Sequence, residues 1–147
     1  MDLSVSAEGF RRLIDRLNNI TDDARIDRAV GRGASAMQGA VKALTPVDTG
    51  NLREKIFVEH KAKNEWHVAT NVEYAIYVEY GTGKLYGDPS VPHTDKPYWT
   101  YFNEKLGHFV TTRGMPPAHM FLLGFQGSTQ AVVELVKDEV KEIIRHG

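Results

Sequence analysis

The chain has 147 residues, 41% hydrophobic and 25% charged, an ordinary globular composition on a length that fits one domain, 1–147, and can bury a core without staples. A formal net charge of −1 excludes a chain that holds nucleic acid through its overall charge, although a local basic face remains open. The absence of cysteine excludes a disulfide framework and a thiolate metal site.

Met1-Asp2-Leu3-Ser4 lacks a basic region followed by an apolar run, so no signal peptide is expected. No apolar stretch approaches membrane-spanning length, and the expectation is a protein made and kept in a cytoplasm. A first helix is expected over Ala7–Asn19, where Phe10, Leu13, Ile14, Leu17 and Ile20 fall on one stripe and Arg11, Arg12, Asp15 and Arg16 on the other. Ser6 is positioned as its N-cap. A second helix is expected over Asp23–Leu44, from the three- and four-residue steps of Ile26, Val30, Ala34, Met37, Val41 and Leu44. It is thin, and each interior glycine costs about 1 kcal/mol against alanine. Gly33, Ala36 and Ala40 are therefore expected to lie close to other backbone. Pro46 ends this helix.

Leu52–Glu59 and Glu65–Asn71 read as a hairpin joined by Lys61-Ala62-Lys63-Asn64, with Trp66, Val68 and Thr70 on one face. Tyr74–Tyr80 fits a strand with Ala75, Tyr77 and Glu79 on one face, or one or two helical turns ended by Gly81. The helical reading is preferred. Lys84–Lys96 is the largest loop, rich in turn formers. Pro97–Asn103 and Gly107–Arg113 read as a second hairpin, and with the loop they form an arm over about residues 84–113. The last helix is expected from Pro117 to Arg145, with a break at Gly127, a new cap at Ser128 and a buried stripe of Val132, Leu135, Val136, Val140, Ile143 and Ile144. The class is α+β: an antiparallel sheet packed against two or three helices, with a long loop and an extended β-hairpin arm.

Few residues point to chemistry. In Pro46-Val47-Asp48-Thr49-Gly50, Asp48 and Thr49 suit local backbone capping and Gly50 a turn; the same exposed corner also suits contact with a neighbouring subunit. Glu79, among Tyr77, Val78 and Tyr80, would need a partner to act as a general acid, and Asp48 and Arg53 serve only if the fold brings them close. A salt bridge, or capping of the following turn, is the simpler role. His60, His67, His93, His108, His119 and His146 include no helical i, i+4 pair, and His93-x-Asp95 is the only local metal-like pair. Gly81-Thr82-Gly83-Lys84 lacks the spacing of a phosphate loop. Tyr98-Trp99-Thr100-Tyr101-Phe102 could stack on bases, but Lys96, Lys105 and Arg113 do not interleave with it, and core or interface packing fits better. No catalytic residue, cofactor or metal is expected.

Three blocks remain: Thr45-Pro46-Val47-Asp48-Thr49-Gly50-Asn51-Leu52-Arg53, Tyr74-Ala75-Ile76-Tyr77-Val78-Glu79-Tyr80-Gly81-Thr82, and Gly114-Met115-Pro116-Pro117-Ala118-His119-Met120-Phe121-Leu122. In this order and spacing the chain resembles, over nearly its whole length, the tail-component family of long-tailed bacteriophages, also described as neck, tail-completion or head–tail joining proteins. The third block matches loosely: His119-Met120 replaces a shorter approach to the Phe, and Gly124-Phe125 replaces an Arg-Pro-Ala. The resemblance implies a structural virion protein without enzymatic activity. It implies a homo-oligomeric ring, commonly a hexamer, at the neck or upper tail, between a head-closure (connector) protein and the tail tube or tail terminator. DNA would pass through its lumen without sequence-specific binding, and no membrane is involved. The location implied is the virion, with the host cytoplasm during assembly. Motif and interface candidates are Asp48, Thr49, Gly50, Arg53, Tyr77, Glu79, Gly81, Thr82, Tyr98, Trp99, Tyr101, Phe109 and Phe121. The alternative class is a small enzyme or nucleic-acid-binding module using Glu79, Asp48 and the histidines.

Overall fold

A computed structural model describes residues 7–46, 50–91 and 94–146. The readings of Ser6 as a cap, of Asp48 and Thr49 as a corner, and of His93 as half of a metal pair lie outside the described residues. In chain order the elements are α1 (Ala7–Asp22), α2 (Ala24–Leu44), α3 (Gly50–Glu54), β1 (Ile56–Ala62), β2 (Glu65–Thr70), α4 (Ala75–Tyr80), α5 (Gly83–Tyr86), β3 (Trp99–Asn103), β4 (His108–Thr112) and α6 (Met120–His146). The fold is α+β. Its strands form two separate antiparallel pairs, β1–β2 and β3–β4.

Helices α2 and α6 are the frame. Asp23 caps α2, its carboxylate accepting from the Arg25 N–H at 2.8 Å. The glycines of α2 are used for close approach on two sides of the helix. A Cβ at Gly33 would sit 2.8 Å from Val132 of α6, and one at Gly31 would sit 2.9 Å from the Trp66 ring of β2. From the other side, Gly124 of α6 leaves room for Val41. Ala36, also expected to lie close to other backbone, is exposed, and Ala40 is half-buried.

The β1–β2 hairpin crosses α2. Its register pairs Phe57 with Ala69 and Val58 with Val68, with an irregularity between His60 and Ala62. The hairpin tip is tied to the α1–α2 elbow through Asp27. One oxygen of that half-buried carboxylate accepts from the Asn64 N–H at 2.7 Å and the Trp66 indole N–H at 3.2 Å, and lies 3.0 Å from His60 Nε2. The His60 ring stacks on Trp66 with centroids 4.1 Å apart. The Asn64 N–H, foremost, and then the Trp66 and His60 contacts hold the Asp27 carboxyl below its ordinary range.

Several expectations are corrected. Leu52 does not begin a strand. It lies in the short helix α3 and is fully buried, and the strand starts only at Ile56. The start of the expected loop forms the helical turn α5, closed by the Gly87 N–H on the Gly83 carbonyl at 2.8 Å. The last helix starts at Met120 rather than Pro117, because His119 takes φ 49°, which no α-helix can include, while the Ala118 and His119 N–H groups bond to the end of α4. It is not broken at Gly127. Ser128 is inside it, its hydroxyl donating to the Gly124 carbonyl at 2.6 Å rather than capping a new start. Of the expected buried stripe Ile143 is buried, whereas Ile144 is exposed. The apolar stripe of α1 stays in water: Phe10, Leu13, Ile14 and Leu17 are all exposed, and only Ile20 is half-buried.

The core gathers Val41, Leu52, Ile56, Ala75, Val78 and Met120, with Val68, Val72, Ala118 and Phe121 packed around them. Each of the three sequence blocks contributes to it.

Candidate functional site

The blocks meet where α2 ends and α6 begins. A helix end leaves backbone groups without partners, and here side chains and strands of backbone from the other blocks supply them. At the α2 end Thr45 is almost fully buried. Its hydroxyl donates to the Val41 carbonyl at 2.8 Å and lies 3.4 Å from the Met120 sulfur. The turn of α3 swings Arg53 back, so that its guanidinium Nη2 donates to the Thr45 carbonyl at 3.0 Å. A cation therefore sits at the negative end of a 21-residue helix. The Arg53 Nε is buried and has no partner among the described residues.

At the α6 start the charges reverse. Glu79, on α4, is 8% exposed. One carboxylate oxygen accepts from the Phe121 N–H at 2.9 Å and the other from the Leu122 N–H at 3.1 Å. An anion thus closes the positive end of a 27-residue helix with two charge-assisted bonds. The expectation that Glu79 is salt-bridged or caps its own following turn is corrected, since its partners lie 42 and 43 residues further on. Sequence spacing gives no signal for that pairing.

Backbone then joins the second block to the third. The Val78 and Glu79 carbonyls accept from the Ala118 and His119 N–H groups at 2.8 and 3.2 Å. The Thr82 N–H donates to the Met115 carbonyl, and the Met115 N–H returns a bond to the Thr82 hydroxyl, both at 2.9 Å. Only glycine fits the crossing. Gly81 has φ 77°, and a Cβ there would lie 2.7 Å from the Tyr86 carbonyl oxygen and 2.9 Å from that of Met115. Gly114, at φ 110°, meets the Thr82 carbonyl more closely still. His119 takes φ 49° without being glycine, a conformation that costs energy and aims the chain into α6.

The structure thus brings together Arg53, Glu79, Gly81, Thr82 and Phe121 of the sequence candidates. Phe121 is half-buried and meets Phe125 edge-on at 6.3 Å. Tyr77 is exposed beside the junction. The hairpin candidates stand apart. Trp99 is half-buried, while Tyr98, Tyr101 and Phe109 are exposed, as is Phe102, which meets Phe109 edge-on at 5.3 Å.

The chemistry available is that of a joint. Both Glu79 oxygens are occupied by helix N–H groups. The histidines are dispersed: His60 on Asp27, His67 on Glu65, His146 on Glu142 and His108 on a neighbouring carbonyl. Among the described residues no group of three or more His, Asp or Glu is placed to hold a metal ion, and no helix is long and apolar enough to cross a membrane. A cavity of about 560 Å³ between α2, β2 and α6 is walled mainly by apolar side chains, Val30, Met37, Val68, Phe125 and Val132 among them, and lacks the convergent polar groups of a reactive pocket.

Residues 11–81 match the HK97-gp10-like family model, whose description reads "Bacteriophage HK97-gp10, putative tail-component". No curated protein and no solved structure matches the chain. The matched stretch holds the first block and nearly all of the second, while the third lies beyond it and is joined to them by the contacts above. Through residues 11–81, just under half its length, the chain matches a bacteriophage tail-component family.

Proposed function

We propose that this protein is a structural component of a tailed-phage virion, assembling with copies of itself into a six-fold ring at the neck or upper end of the tail. The ring joins the head-closure complex to the tail tube or tail terminator, and DNA passes through its centre without sequence-specific contact. The observation that carries this reading is the family match over residues 11–81. Three features support it. The described groups of the junction, Arg53 Nη2 on the Thr45 carbonyl and both Glu79 oxygens on helix N–H groups, are engaged in holding the ends of α2 and α6. Large apolar side chains stand in water on α1, on the β3–β4 hairpin and on α6, surfaces of the kind that mark interaction sites. A net charge of −1 suits a conduit that must not hold the DNA it passes. In this reading residues 1–147 act as one unit, made in the host cytoplasm. The corner at Asp48, Thr49 and Gly50 and the hairpin residues Tyr98, Tyr101 and Phe109 serve contacts between subunits.

The test is location and phenotype. Antibody-gold labelling of purified particles should mark the head–tail junction, and particles made without the protein should accumulate as filled heads and unattached tails. Labelling at the distal tail tip, or normal joined particles without the protein, contradicts the placement.

A further inference from the structure

Helix α1 has 16 residues, a length at which an isolated helix is marginal in water. Yet its apolar stripe covers almost nothing in its own chain: Phe10 is 55% exposed, Leu13 52% and Leu17 53%. The end of α1 meets the body beside Ile143 and Ile144, at the C-terminal end of α6. The β3–β4 hairpin is rooted at the opposite end, where Thr82 bonds to Met115 shortly before Met120 starts α6. With 27 residues in α6, these ends stand roughly 40 Å apart at about 1.5 Å per residue.

The two faces of the hairpin differ. On one face Trp99, Val110 and Thr112 are half-buried beside an exposed Tyr101, whereas on the other Tyr98, Thr100, Phe102, Phe109 and Thr111 are all exposed, Phe109 by 70%. The molecule therefore carries two unlike apolar surfaces at its two ends. A two-fold dimer through either one covers it with its own copy and leaves the other in water. A head-to-tail contact covers both with one repeated interface. The area fits as well. Taking about 200 Å² for a large side chain, the exposed parts of Phe10, Leu13, Ile14 and Leu17 with those of Tyr98, Phe102, Leu106 and Phe109 come to roughly 900 Å². That is about the apolar share of a standard interface of roughly 1,600 Å².

The geometry points to α1 as the receiving surface for the hairpin of a second copy of this chain: the Phe102–Phe109 face of one subunit lies across the Phe10–Leu13–Leu17 ridge of the next. This rests on the ring reading for its closure, because a head-to-tail contact that did not close would give filaments.

The chain has no cysteine, so single thiols report contacts cleanly. Leu13→Cys and Phe109→Cys proteins, each exposed and distant from the core, are treated with a short bis-maleimide alone and mixed. The expected result is a cross-linked dimer in the mixture, none in either protein alone, and a ladder up to the ring size in the double variant. Strong cross-linking of Phe109→Cys alone, or of Leu13→Cys alone, shows like surfaces pairing and overturns the assignment. A mixture that sediments as a ring without mixed product overturns this contact and leaves the ring standing. A sample that stays monomeric at every concentration overturns both.

Discussion

Glu79 and Arg53 do the same work with opposite sign. Each places a charge on a helix end whose dipole attracts it, and each reaches that end from a different sequence block. Glu79→Ala leaves two part-buried helix N–H groups without their acceptor and is expected to destabilise the fold by roughly 1–2 kcal/mol. Glu79→Gln keeps one oxygen but turns an NH₂ toward the second N–H, and recovers only part of the loss. Denaturant titration of the three proteins checks the order. The acidic residues at the α2 start give a pH signature. Asp23 is held at about 2 by the Arg25 guanidinium, which donates at 2.9 and 3.1 Å, and by the Arg25 N–H. Asp27 is also lowered, first by the Asn64 N–H. A folded-state value below the ordinary 3.8 means the stabilisation is complete above that pH and is lost as pH falls through the lowered value. Melting temperature should therefore drop more steeply between about pH 4 and pH 2 in the native chain than in an Asp23→Asn/Asp27→Asn variant. Equal slopes would show that these contacts are not retained in solution.

At the scale of elements, the α2–α6 packing depends on the absence of a side chain at Gly33. Gly33→Ala brings a methyl into Val132, a stiff β-branched neighbour, and should destabilise by about 1–2 kcal/mol. In a Val132→Ala background the same change should stabilise by up to about 1 kcal/mol through helix propensity, and a double-mutant cycle reads the difference. What the sequence made legible here was local. The span of α2 follows from its apolar steps and its end from Pro46, the α4 turn from Gly81, and both hairpins from their turn residues. What it hid was contact at a distance. Leu52 reads as a strand residue until the junction buries it. The α6 start looks free to form at Pro117 until the contacts with the end of α4 turn His119 to a positive φ. Ala36 has the right size for a close approach, but not the right angle around α2. The α1 stripe was visible as a stripe, while periodicity alone could not say that its cover is missing from its own chain. Helix α1 should accordingly exchange its amide hydrogens rapidly in dilute protein and slowly in the assembled form; equal rapid exchange in both would leave its apolar face without a partner.

At the scale of the molecule, the three blocks that carry the phage resemblance are the three pieces of one joint, which fixes α2 against α6 and leaves α1 and the hairpin free at its two ends. A chain so built leaves apolar surfaces outward at both ends, as the proposed assembly role requires. Native mass spectrometry of the purified full-length chain over a range of concentrations tests that claim most directly. A single closed oligomer of six copies, formed cooperatively with few intermediates, is expected. A mass that remains that of one chain at every concentration would contradict it.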